Sequence, residues 1–408
     1  MTEFTDSFAP APGLERAVEL LRSPLPKADA LPVDLPELGA GEMQTLETLA
    51  PHVLEGAARL DRPEVLAHMN PPAPWITWAM ALWNARLNQN LLHPDTGPFA
   101  LEAEARVMHW LAPFYGMEGG HLCSGSTLAN LTALWAARDA GGVRRIVASE
   151  AAHLSITKAA RLLGLPLTLV PVDHQEQIDP DQLGDCSDAC LVLTAGTTAT
   201  GSIDSLGLIG QASWTHVDAA WAGPLRLSRR HAHLLDGIEH ADSIAVSAHK
   251  WFFQPKESAM ILFKDLDRSN AAISFGSNYL SKLNIGVQGS RGATAVPLLA
   301  TLLAWGRTGL AERLDHAMAL AGHLAEGVKR NDQLRLWEQP KTGITIFRPE
   351  TGDVEGFHAS LPDGMLSKCE VRGQRWLRSV AANPLADVDA ILRRLKQACR
   401  RAESKTAA

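Results

Sequence analysis

The chain has 408 residues, 46% of them hydrophobic and 20% charged, and carries a formal charge of -7. That length holds two or three domains and a large core, and the composition is ordinary for a globular protein. Without a basic surplus, nucleic acid and anionic membranes are not expected partners, and no histidine or cysteine spacing suits zinc. The five cysteines lack a CxxC and read as free thiols in a reducing cytosol.

The first twelve residues are polar, acidic and proline-containing, unlike a signal peptide, and the most apolar run, 296–305, is too short to span a bilayer. Residues 1–40 carry Pro10, Pro12, Pro24, Pro26, Pro32 and Pro36 around one helical patch at 14–22. An extended arm that packs on a partner subunit is expected there. Helices are expected at 42–60, 75–87 and 99–114. The stretch 68–74 is a loop, because its prolines lack donors and restrict their neighbours.

From residue 120 strands and helices alternate. The periodicity predicts helices at 124–138 and 153–163, and strands at 145–149, 167–172, 189–195, 214–217, 243–247 and 259–263. This pattern implies an α/β fold with a largely parallel sheet between helices. Ligands in such sheets sit beyond the carboxyl ends of the strands. A long helix is expected at 293–330. Strands at 334–337, 344–347 and 376–380 and a helix at 385–401 then read as a small α+β domain. The expected domains are 1–70, 71–305 and 306–408.

Several chemically distinctive residues fall at strand ends. Asp218 closes the run His216-Val217-Asp218, and Lys250 follows Ser243 to His249. A lysine and an aspartate placed in this way are the two charged groups that a pyridoxal phosphate site needs. The amine takes the aldehyde, and the carboxylate holds the ring nitrogen protonated. A lysine extending out of a core and an aspartate capping a helix are the plainer explanations. Ser124-Gly125-Ser126-Thr127 opens a helix, where free N–H groups suit a phosphate, although the same residues serve as an ordinary N-cap. His153 begins a helix and is either a cap or a ring stacked on a flat ligand. The stretch 194–201 is small-residue-rich, which suits either a plain loop or close approach of the backbone to a flat cofactor.

Taken together, HVDAAWAGPLRLS, HLLDGIEHADSIAVSAHKWFFQP, SGSTLANLTALWAARD, HLSITKAARLLGL and TAGTTATGSID resemble the group II pyridoxal-phosphate-dependent amino-acid decarboxylases. The resemblance runs from about residue 65 to 310 and looks nearest to the bacterial 2,4-diaminobutyrate branch. It implies the fold of type I pyridoxal phosphate enzymes. It makes Lys250 the Schiff-base lysine and Asp218 the partner of the ring nitrogen. His153 would lie on one ring face and Ala220 on the other. Ser126, Thr127, Ser247 and His249 would hold the phosphate, and Thr197 would lie near the ring hydroxyl. Residues near Pro72 and Trp75 would form the substrate-carboxylate end of the pocket. Asn90 to Leu92 and Phe99 would form a wall given by the second subunit of a homodimer with its active sites at the interface. The activity implied is decarboxylation of an L-amino acid to an amine in the cytoplasm, with no metal.

The chain departs from that family in three places. The family has a long mobile loop carrying a tyrosine that donates a proton. Here Tyr279-Leu280 is followed by only nine residues, 281–289, before Ser290-Arg291-Gly292, and none is a tyrosine. The proton donor is then His153, water, Lys250 or absent, and another reaction at the α-carbon is the alternative: transamination, decarboxylation-coupled oxidation, C–C bond formation or β-elimination. Phe99 stands where the family has a small residue. The chain is also shorter than most relatives. Arg291 is expected either to bind a carboxylate or to support the following helix.

Overall fold

The computed structural model describes residues 12–351 and 353–406. The first eleven residues, which hold most of the stretch read as unlike a signal peptide, lie outside it. The chain divides between residues 59 and 60 into two compact units. In the first, α1 (Pro12–Leu20) packs on α2 (Glu42–Gly56), burying Leu20 and Ala50. Arg16 Nε donates to Glu47 Oε1 at 2.6 Å across the pair. Helix α2 stops at Gly56, four residues short of expectation, because Ala57 turns extended.

The second unit begins with α3 (Trp75–Leu87), which follows the proline-rich loop, and α4 (Pro98–Leu111). Then come β1 (Gly119–Cys123), α5 (Ser126–Asp139), β2 (Arg145–Ser149), α6 (Leu154–Leu163), β3 (Leu167–Val170) and β4 (Cys186–Thr194). They are followed by β5 (Ala212–Asp218), β6 (Ser243–Ser247), β7 (Ala259–Phe263), α7 (Leu266–Ala272) and a small hairpin of β8 (Ser274–Phe275) with β9 (Asn284–Ile285). The large sheet has the order β1-β7-β6-β5-β4-β2-β3, and only β7 runs against the others.

Both faces of this sheet are covered, so its strands read as near-continuous apolar runs. Alternate residues go to opposite faces. Val147, Leu191, Leu193, Val217, Ile244 and Val246 join one core cluster, while Ile146, Ala148, Cys190, Val192, Trp214 and Ala245 join the other. Strand β1 was missed by the periodicity because it opens with two glycines. Gly120 is required by close approach: a Cβ there would lie 1.8 Å from the Ile261 carbonyl oxygen of β7.

The rest of the unit is α8 (Ala295–Lys329), β10 (Leu334–Leu336), β11 (Ile344–Pro349), α9 (Val354–Ala359), β12 (Ser367–Val371), β13 (Gln374–Val380) and α10 (Val388–Thr406). Helix α8 breaks at Gly306, whose φ of 60° is not helical. The four small strands form an antiparallel sheet in the order β10-β11-β13-β12. Its core of Phe347, Leu377, Ile391 and Leu395 also takes in Leu324 and Val328 from the end of α8. No helix among the described residues is long and apolar enough to cross a membrane.

Candidate active site

Asp218 is the last residue of β5, paired with Thr194 of β4 on one side and Ala245 of β6 on the other. Lys250 follows β6 by three residues. A tight turn holds it: the Phe253 N–H donates to the Lys250 carbonyl at 2.9 Å and the Gln254 N–H to that of Ala248 at 3.1 Å. Phe253 has a φ of 60°, a left-handed conformation uncommon for a bulky side chain. Burial of Trp251, Phe252 and Phe253, with Trp251 and Trp221 ring centroids 4.0 Å apart, overrides that local strain.

The Lys250 amine is held below its ordinary pKa chiefly by loss of water, with the charges of Lys256 and Arg378 acting in the same direction and Asp218 opposing them. Asp218 is itself buried. Its Oδ1 accepts the Ala220 N–H at 3.1 Å and its Oδ2 accepts from Asn130 Nδ2 at 2.8 Å. A buried carboxylate with two donors aimed at it is already organised before any ligand arrives.

His153 is the N-cap of α6, with Nδ1 accepting the Ser155 N–H at 3.2 Å and lying 2.8 Å from Ser155 Oγ. Burial pushes its pKa down, against the pull of Asp218. Ser126 is half-buried and Thr127 exposed at the start of α5, which has no side-chain cap. Gly125 precedes them at a φ of 108° and turns the chain into the helix. Ser247 Oγ lies 3.3 Å from His249 Nε2, while His249 Nδ1 lies 3.2 Å from the Ser258 carbonyl oxygen. Loss of water, reinforced by Lys256 and Lys250, pushes His249 down to about 4.

The Thr197 hydroxyl is engaged inside its own turn. Ser202 Oγ donates to the Gln175 carbonyl, so Thr200 donates to Ser202 and Thr197 to Thr200, each at 2.8 Å. The remaining expected residues lie on the rim. Trp75 and Phe99 are exposed, and Pro72 and Leu92 are half-buried. The 90–92 segment is clipped to 290–291: the Leu91 N–H donates to the Arg291 carbonyl at 3.0 Å, and the Arg291 N–H to Asn90 Oδ1 at 3.3 Å.

Arg291 grips Glu104 with both terminal guanidinium nitrogens, Nη2 donating to Oε1 at 2.6 Å, so that end of its fork is occupied by the protein. That pairing ties the 290–292 segment to α4, an earlier helix, rather than to the helix that follows it. Glu104→Ala leaves that largely buried guanidinium unpaired and should cost about 3 kcal/mol of stability, read as a lower urea midpoint with an unchanged slope. Both tyrosines are accounted for elsewhere. Tyr115 is buried and donates to the Gly223 carbonyl at 3.0 Å, and Tyr279 is 69% exposed beside the short hairpin.

Four polar residues at this site were not singled out in the sequence. Asn130 and Ser155 are buried and connect Asp218 to His153. Their signal was helical spacing, since Asn130 lies one turn after Ser126 on α5. Gln288, in the shortened loop segment, grips Ser124 twice, accepting its N–H at 2.9 Å and donating to its hydroxyl at 2.7 Å. Arg378 of β13 is buried, donates to Ser367 Oγ at 3.1 Å, and has no partner at Nε. Its charge reaches Lys250, but no local pattern marks it. Among the described residues no cluster of ligating side chains could hold a metal.

Buried histidines make the fold acid-sensitive. Loss of water pushes His216 down to about 4 and His121 to about 3. Both lie below the unfolded value, so the stability they contribute is present above about pH 6.5 and is lost as pH falls towards 4, about 3 kcal/mol for His216. Asp204, raised to about 6 by burial against the pull of the Ile178 and Thr194 N–H groups, acts oppositely. Its contribution is present below about pH 4 and is lost as pH rises through 6. The two histidines outweigh it, so the urea midpoint should fall between pH 7 and 4.5, and fall less in His121→Gln.

The family model for the pyridoxal-dependent decarboxylase conserved domain matches residues 24–350, most of the chain. The chain belongs to this family. It is 31% identical over 352 residues to the L-2,4-diaminobutyrate decarboxylase of Rhizobium meliloti, covering 77% of this chain and 70% of that protein. To the enzyme of the same name from Acinetobacter baumannii it is 27% identical, covering 90% and 85%. In fold it is similar to Oryza sativa TDC solved with PLP and tryptamine, with a TM-score of 0.85 at 21% identity, covering 95% of this chain and 97% of that one. The protein is thus a pyridoxal-phosphate-dependent amino-acid decarboxylase, a carbon–carbon lyase of the α/β class with the type I fold. The residues present fit the cofactor: a desolvated amine, a pre-organised buried carboxylate and an uncapped helix start stand at or just beyond strand ends.

Proposed function

We propose that this decarboxylase acts on an L-amino acid as a cytoplasmic homodimer, with Lys250 carrying the cofactor and Asp218 facing its ring nitrogen. The observation that carries this reading is the desolvated Lys250 amine within electrostatic reach of the buried Asp218. Pyridoxal phosphate, when bound, supplies an aldehyde for the amine and a ring that withdraws electrons from the bond broken at the substrate α-carbon.

The chain's own residues do the rest. Desolvation lowers the Lys250 pKa, which favours the neutral, nucleophilic form of the amine. Asp218, steadied by Asn130 and Ala220, needs no reorganisation to face a positive ring nitrogen. Ser126, Thr127, Ser247 and His249 hold the phosphate with hydroxyls, an imidazole and the free N–H groups of α5. His153 and Ala220 bracket the ring, and Thr197 lies at its edge. Arg378 takes a substrate carboxylate, since its Nε is buried without a partner and the arginine fork matches that group. With both tyrosines placed elsewhere, Lys250 Nζ and the His153 imidazole are the proton carriers.

Pro72, Trp75, Leu92 and Phe99 close the substrate end once a second copy covers them. Support comes from the apolar side chains exposed along α3, namely Trp78, Leu82, Trp83 and Leu87. We retain the domain division at 70 and 305. The break of α8 at Gly306 supports the second boundary.

The relatives' names make L-2,4-diaminobutyrate the first substrate to test, ahead of aspartate, cysteine sulfinate and aromatic amino acids. Cofactor-loaded protein should release carbon dioxide and the matching amine from one member of that panel. Exchange of the α-proton with no carbon dioxide from any of them would refute the reading. Sedimentation should give twice the chain mass, and a monomer that is fully active would refute the dimer.

A further inference from the structure

We infer that Asn130 is a positioning residue that joins Asp218 and His153 through one directed hydrogen-bond chain anchored at the Trp214 indole, and that this chain leaves the His153 proton on Nε2. Trp214, His216 and Asp218 alternate along β5, so all three face the side of the sheet where α5 and α6 pack. Trp214, Ser243, His216, Asn130, Ser155 and Asp218 are all 4% exposed or less. In such a place every polar atom needs a partner, and water is not at hand to supply one.

The direction of the chain follows from its ends. An indole N–H only donates, and Trp214 Nε1 gives its hydrogen to Ser243 Oγ at 2.9 Å. The Ser243 hydroxyl is then free to donate to His216 Nδ1, also at 2.9 Å. His216 is neutral because burial holds its pKa near 4. Its single proton therefore sits on Nε2, which donates to Asn130 Oδ1 at 3.0 Å. The 3.2 Å approach of His216 Nδ1 to the Ser243 carbonyl is then a contact without a hydrogen.

The other end imposes the same orientation. A carboxylate at Asp218 only accepts, so the Asn130 amide must turn its Nδ2 towards it, 2.8 Å away. The second Nδ2 hydrogen goes to Ser155 Oγ at 2.9 Å. Ser155 then passes its own hydrogen to His153 Nδ1 at 2.8 Å, and the Ser155 N–H approaches the same nitrogen at 3.2 Å. Flipping the amide would set oxygen against the Asp218 carboxylate and nitrogen against the His216 N–H, breaking both bonds at once. With Nδ1 an acceptor, neutral His153 carries its proton on Nε2, which makes no hydrogen bond to another described residue. One asparagine therefore fixes both the aim of the carboxylate and the nitrogen from which His153 donates.

The inference rests on the reading that Asp218 and His153 face the cofactor, but its main test does not need the cofactor. Imidazole proton–nitrogen correlation spectra of cofactor-free protein near pH 8, with His153 assigned through His153→Gln, should show one neutral form protonated at Nε2. A form protonated at Nδ1, or a mixture, overturns the inference, and this holds even if neither Asn130 variant folds. In Asn130→Asp, both donors become acceptors at nearly the same volume. The Ser155 hydroxyl should then turn to the new carboxylate, and His153 should gain a population protonated at Nδ1. In Asn130→Ala, cofactor affinity measured by equilibrium dialysis should weaken about tenfold through loss of a charge-assisted bond. Folded variants with lower unfolding temperatures but unchanged affinity and unchanged His153 spectra would overturn it, because Asn130 would then serve packing alone. Failure of wild-type protein to bind the cofactor would instead strike the decarboxylase reading and leave the spectroscopic result standing.

Discussion

Lys250→Ala should abolish turnover, by a factor of about a thousand or more (~4 kcal/mol of barrier), and should lose the cofactor on dialysis. The reason is chemical. Among the described residues, Lys250 combines desolvation with a buried carboxylate in electrostatic reach, whereas the nearby Lys256 amine is given to Asn70 Oδ1. The fold should survive, because Trp251, Phe252 and Phe253 carry the packing of the turn and the Phe253 and Gln254 N–H bonds close it. Far-ultraviolet circular dichroism and the urea midpoint should therefore stay near wild type while activity vanishes. Retained activity would show that the amine lies elsewhere. A collapsed midpoint would show that Lys250 serves structure.

Asp218→Asn should lower kcat by about a hundredfold to a thousandfold, the range seen when one pre-organised electrostatic partner is removed. Two effects add. The neutral amide no longer favours a charged ring nitrogen, and it brings an NH₂ group to a place where Asn130 and Ala220 already donate. A donor facing a donor in a buried site forces rotation of one amide, so cofactor affinity should fall as well. Steady-state rates at saturating cofactor separate the two contributions. A variant with wild-type kcat and only weaker cofactor binding would contradict the electrostatic role.

The sheet and its strand ends were legible because both faces are covered and the runs are apolar without interruption, as in Ser243 to Ser247 and Ala259 to Phe263. Strands carrying two glycines or alternating charge, such as Gly119–Cys123 and Ser367–Val371, gave no comparable signal. Their pairing is fixed by neighbours distant in sequence. The reactive pair was legible as an abrupt charge at the end of an apolar run. The residues that orient the pair were not, because Asn130 and Ser155 read as ordinary polar positions on amphipathic helices until the helices are packed against β5. Arg378 lies more than a hundred residues from Lys250 in sequence and reaches it only through the fold. Arg291 read as either a carboxylate ligand or a support for the following helix, and the structure gives its guanidinium to Glu104. Composition could not anticipate that pairing, since it joins α4 to a loop nearly two hundred residues later.

The account stands most directly on where the cofactor is joined to the chain. Borohydride reduction of the loaded protein, followed by proteolysis and mass spectrometry, should place a reduced phosphopyridoxyl group on the peptide spanning Ser247 to Gln254, at Lys250. A group fixed to another lysine, or a loaded protein that yields no modified peptide, would contradict it.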